Sequence, residues 1–345
     1  MKQAWIHKPI TDILFILLPS FLTLAIVFIF QDAIKSIESK YSFLTWLFLI
    51  VFIDVAHVYA TLFKTYFVRD TVIRNKKLLF SLPIISLICG IILYSFGNLF
   101  FWSILAYIAV FHFIRQQYGF MKMYARFEKK TKFSVFVDNL VIYNATLYPM
   151  FYWFLSPTRD FNWFVENEFL TFKNNFFLEC CTNIYFIIIT FYILYFIMRW
   201  FREKHFNLPK NLLFIGTYAS WYFGIVYFNN DLIFSLLNVI THGIPYIALV
   251  YIKEIETKSI NELGFLFYFK KAKGLLFFIL IIFLIAFSEE YLWDILVWKE
   301  QFSHYFMDFS YLHFIIVPIL TVPQLTHYLL DGFIWKSNFN PSKQQ

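Results

Sequence analysis

Four histidines, His57, His112, His242 and His327, each sit inside an apolar run long enough to cross a bilayer. Imidazole is a ligand for iron, zinc and copper, and ionisable groups in hydrocarbon are costly enough that they start as functional-site candidates. Two have a carboxylate on the same helical face: Asp54 precedes His57 by three residues, and Asp331 follows His327 by four. Such a carboxylate either joins the histidine as a ligand or fixes its tautomer. Around His112 the stretch Val110-Phe-His112-Phe-Ile-Arg115-Gln116-Gln117 adds a guanidinium and two carboxamides, and Gln116 stands four residues from the histidine. His242 opens His242-Gly243-Ile244-Pro245, where glycine and proline loosen the helix and free carbonyls beside the ring.

The elements that must carry these groups are transmembrane helices. Of 345 residues 60% are hydrophobic and 15% charged, which excludes an ordinary soluble globule. Apolar runs give ten spans, roughly 12–30, 42–63, 78–96, 99–121, 133–156, 181–198, 211–228, 232–252, 274–288 and 311–335, so the expectation is an all-α polytopic bundle forming one domain over 1–345. The first span has no small-residue cleavage site and reads as a retained helix. Loops 64–77, 122–132, 199–210 and 253–273 hold 5, 5, 4 and 5 Lys and Arg, whereas the alternate loops together hold 5 against twelve acids. This bias places both termini in the cytoplasm and explains the net charge of +7 without nucleic acid as a partner. Three cysteines form neither a zinc pattern nor a disulfide framework.

The topology sharpens the histidines. Each of the four precedes the first cytoplasmic basic residue of its span, Lys64, Lys122, Lys253 or Lys336, by 7, 10, 11 or 9 residues, a depth of about 10 to 17 Å. Imidazoles at one level predict a shared site, with His57, His112, His242 and His327 as ligands and Asp54 and Asp331 as further ligands or supports. Arg115 is the one basic residue outside the loops and tails. Asp138, at matching depth in the next span, is its expected partner, and Arg115, Gln116 and Asp138 are the expected catalytic groups. His205 and His304 read as loop residues, His313 as interfacial.

Imidazole with carboxylate suits iron in particular, and eight histidines are too few for a diiron centre, so a mononuclear non-haem iron is expected, with zinc or haem as alternatives. A site inside the bilayer admits its substrate from lipid, which favours a carotenoid, quinone, sterol or acyl chain. The rival readings are a transporter or channel in which the same groups line a proton or anion path, and a haem-binding redox subunit.

The tail Leu320-Thr321-Val322-Pro323 through His327 and Leu330-Asp331-Gly332-Phe333-Ile334 resembles the last helix of the bacterial retinal-forming β-carotene dioxygenases, the Brp/Blh family. The resemblance implies several membrane-embedded histidines around one iron that cleaves β-carotene with dioxygen in a bacterial inner membrane. Carried over by position, His327 is a ligand, although it falls four residues after Pro323, where the family's histidine follows the proline directly and Gln324 stands here.

Overall fold

The computed structural model describes residues 3–37, 42–156, 158–204, 206–271, 273–302 and 308–336; the expectations for His205 and His304 lie outside them. All regular structure among the described residues is helical. The long helices are α1 (Pro9–Ser36), α2 (Phe43–Phe63), α3 (Lys76–Ser95), α4 (Asn98–Tyr124), α5 (Lys132–Leu155), α6 (Asn175–Arg202), α7 (Leu208–Trp221, extended by a π turn Tyr222–Tyr227), α8 (Asp231–Glu256), α9 (Gly274–Trp298) and α10 (Ser310–Ile334).

Eight of these are long and apolar enough to span a membrane; α5 and α7 are the other two. Their polar content is the reason: α5 carries Asp138, Asn139 and Asn144, and α7 opens on Pro209, Lys210 and Asn211. The span expected over 274–288 runs ten residues further, to Trp298, so Glu289, Glu290 and Asp294 belong to a helix and not to an outer loop.

The chain forms two compact units. Unit one comprises Met1–Lys40 and Val110–Pro245, and unit two Tyr41–Ala109 and Tyr246–Gln345. In unit one, α1 packs on α7 where Gly216 faces Ser20; a Cβ at Gly216 would come within 3.1 Å of the Ser20 side chain. Small residues of this kind let membrane helices approach closely. Ile6 and His7 are tied to the start of α1 because Asp12 accepts their N–H groups (2.6 and 3.0 Å).

Unit two pairs α3 with α10, where Gly90 lies against Pro318 and Thr326 donates to Ser86 at 3.2 Å. Its apolar core includes Phe63, Phe278 and Ile282. Within α2, Trp46–Val55 is a ten-residue π-helical stretch that returns to α geometry at Ala56, one residue before His57. His313, at the start of α10, bonds the Leu296 carbonyl through Nε2 at 3.0 Å.

Candidate metal centre

In unit one, His112 on α4 and His242 on α8 are 3% and 1% exposed, and their ring centroids lie 5.0 Å apart. Helical periodicity aims His112 inward, since the residues one turn before and after it, Ala109 and Gln116, are also buried. Phe113 stacks face to face on His242, with centroids 3.6 Å apart and planes within 7°. Gln116 donates from Nε2 to the His242 carbonyl at 2.8 Å. Its expected role as a support four residues from His112 is thus refined: the carboxamide holds the backbone of α8, at the carbonyl beside Gly243 and Pro245. Phe113 is backed in turn by Trp163 (5.0 Å) from the segment between α5 and α6. The Glu168 carboxylate organises that segment by accepting the N–H groups of Trp163, Phe164 (2.8 Å) and Val165 (3.0 Å). Burial pushes the Glu168 carboxyl up from its ordinary range despite these three donors.

In unit two, His57 and His327 are 1% and 2% exposed with centroids 4.9 Å apart. Here the partners are polar. Asp54 Oδ1 lies 3.7 Å from His57 Nδ1, an ion-pair distance and not a hydrogen bond. Thr61 Oγ1 contacts His327 Nδ1 (2.8 Å) and the Tyr246 hydroxyl (2.9 Å). Asp331 accepts at Oδ1 from Tyr246 (2.9 Å) and Trp335 (2.8 Å). The helical spacing of Asp331 to His327 holds, but the carboxylate reaches the ring through Tyr246 and Thr61.

In unit one His112 and His242 each offer a ring nitrogen, and the two nitrogens lie within 4.8 Å of one another. This buried imidazole set could hold a metal ion. It contains no thiolate, as Cys89, Cys180 and Cys181 are free.

The expected pairing of Arg115 with Asp138 is overturned. Arg115 is exposed, lies 4.2 Å over the Tyr118 ring and donates to the Tyr143 hydroxyl at 2.7 Å. Asp138 instead accepts from Lys210 at 2.9 Å, and both are buried. Lys210 also contacts Glu128 (2.8 Å), which holds Arg199 at 2.7 Å. Lys210 was counted with the loop 199–210, yet it lies in the first turn of α7, whose N-cap Asn207 accepts its N–H at 3.2 Å. Burial alone would raise the Glu128 carboxyl, but Lys210 and Arg199 beside it hold it below the ordinary value.

Sequence reading also missed Tyr59, Thr61, Tyr246 and Glu289. Tyr59 donates to Glu289 at 2.5 Å, and Trp293 to the same carboxylate at 3.3 Å. A hydroxyl within a turn of each histidine, Thr61 after His57 and Tyr246 after His242, was the available signal.

No protein-family model matches the chain, and comparison with curated proteins and with solved structures likewise yields no match.

Proposed function

We propose that the chain is an integral membrane oxygenase that holds one non-haem iron through buried histidines and acts on a lipid-soluble substrate. The observation that carries the reading is the two buried imidazole pairs, His112 with His242 and His57 with His327, with ring centroids 5.0 and 4.9 Å apart. The donor set fits the group: neutral imidazoles without thiolate suit iron, zinc or copper, and a carboxylate-supported histidine set favours iron. Bound there, iron would supply the redox chemistry that oxidation of an unactivated chain with dioxygen requires.

The protein's own side chains supply position and dryness. Phe113 and Trp163 cover His242, Gln116 fixes the carbonyl of that residue, and Thr61 holds the His327 ring. An apolar pocket that excludes water protects a reactive site from hydrolysis and proton leakage. The C-terminal resemblance to the retinal-forming β-carotene dioxygenases supports a carotenoid or another long apolar chain as substrate. The Lys and Arg bias supports ten spans with cytoplasmic termini, in keeping with a bacterial inner membrane.

Elemental analysis of detergent-purified protein tests the reading. About one iron per chain in the wild type, lost in His57→Ala and His242→Ala, is expected, with no Soret band in the absorption spectrum. Wild-type protein free of any transition metal after metal-replete expression would sink the proposal.

A further inference from the structure

A single file of hydrogen bonds leads away from His327 in unit two. From His327 Nδ1 it passes to Thr61 Oγ1 (2.8 Å), then to the Tyr246 hydroxyl (2.9 Å), then to Asp331 Oδ1 (2.9 Å). Its far end has a fixed polarity. The indole N–H of Trp335, which can only donate, lies 2.8 Å from the same Oδ1. Oδ1 is therefore an acceptor whether or not the other carboxyl oxygen carries a proton, and Tyr246 donates to it.

Donor bookkeeping then runs back along the file. A phenol has one proton, so the Tyr246 oxygen faces Thr61 as an acceptor, and Thr61 gives its one proton to it. Thr61 Oγ1 is left to accept from His327, which puts a proton on Nδ1. The ring is 2% exposed, and a buried imidazolium is costly in a membrane. A neutral ring carries one N–H, so the lone pair is on Nε2. Lys64 reinforces the far end: its Nζ sits 4.4 Å over the Trp335 ring and is anchored by Glu254 at 2.6 Å.

We propose that Asp331, Tyr246 and Thr61 form a tautomer-setting relay that presents the Nε2 lone pair of His327, whose ring lies 4.9 Å from that of His57, as a metal-ligating nitrogen. Asp331 is on this account a positioning residue acting through two hydroxyls. The ligand role rests on the metal reading above, whereas the tautomer does not. Hydrogen-bonded supports of metal-bound histidines fix ring orientation and raise ligand basicity, and their loss costs about 10–100-fold in metal affinity.

The experiment reads the two parts separately. In metal-free protein labelled with ¹⁵N-histidine, and with the signal assigned by its absence in His327→Gln, His327 is expected as the Nδ1–H tautomer in the wild type and in Thr61→Ser. In Thr61→Val, which keeps the side-chain shape but removes both bonds, and in Tyr246→Phe, the Nε2–H form should appear. Co²⁺ affinity should fall about 10–100-fold in Thr61→Val and Tyr246→Phe and be retained in Thr61→Ser, which also controls for folding. An Nε2–H or imidazolium ring in the neutral wild type, or an unchanged tautomer in Thr61→Val, overturns the relay. The expected tautomers without any Co²⁺ binding would uphold the relay and overturn the metal reading.

Discussion

Each unit of this protein buries a pair of histidines about five ångströms apart, and the two pairs are held by different physics. In unit one the His112 and His242 pair is fixed by packing: Phe113 is stacked on one ring, Trp163 backs Phe113, and Gln116 clasps the backbone behind it. In unit two the His327 ring beside His57 is fixed by directional bonds through Thr61, Tyr246 and Asp331. Stacking sets the plane of a ring but says nothing about which nitrogen carries the proton. A hydrogen-bond file sets the proton as well. The difference teaches that neighbouring histidines in one chain can be specified to different degrees.

The comparison breaks most visibly at the ion cluster of unit one. Lys210→Ala leaves Glu128 and Asp138 without their shared cation and should cost about 3–5 kcal/mol, read as a fall in the thermal midpoint of purified protein. Asp138→Asn should also destabilise, whereas Arg115→Met, removing an exposed cation over Tyr118 and its exposed bond to Tyr143, should cost under about 1 kcal/mol. Equal costs for these two would restore the pairing of Arg115 with Asp138.

Phe113→Ala should follow, at about 3–4 kcal/mol of stability, with the His327 tautomer untouched. A shifted tautomer there would blur the distinction between the two pairs. Gln116→Leu, which withdraws one donor from a buried carbonyl, should cost about 1–2 kcal/mol.

The smallest effect is on pH dependence. The folded Glu128 carboxyl lies below its ordinary value of 4.5, so its contribution is fully present above that value and is lost as pH falls through the lower folded one. Stability measured from pH 6 down to pH 3 should decline less steeply in Glu128→Gln than in the wild type.

Much of this was legible in the chain. The apolar runs pointed to the long helices, and spacing from the basic loops singled out four histidines that the structure buries in two close pairs. What escaped was set by distance in sequence. Asp138 and Lys210 are 72 residues apart, and Thr61 and His327 are 266 apart. A depth argument gives the height of a side chain and not its azimuth around the helix, so Arg115 and Asp138 matched in height while Arg115 faced outward. Glu289 was lost for another reason: charges near a span's end look like loop to a hydropathy window, although Tyr59 and Trp293 neutralise their cost.

The π-helical stretch Trp46–Val55 has a consequence for how α2 tolerates changes in length. Each π turn accommodates about one residue more than an α turn, so the stretch amounts to a stored insertion just ahead of His57. Deleting one residue from its first half, such as Phe48, would let the backbone tighten toward α geometry, and the local winding could absorb the loss. Asp54, His57 and Thr61, which follow the deletion, would keep their mutual spacing. The same deletion in α5, regular from Lys132 to Leu155, has no such slack and would turn every residue on one side of the cut by about 100°. Length variants of this protein should therefore collect in the first half of α2 and be absent from α5.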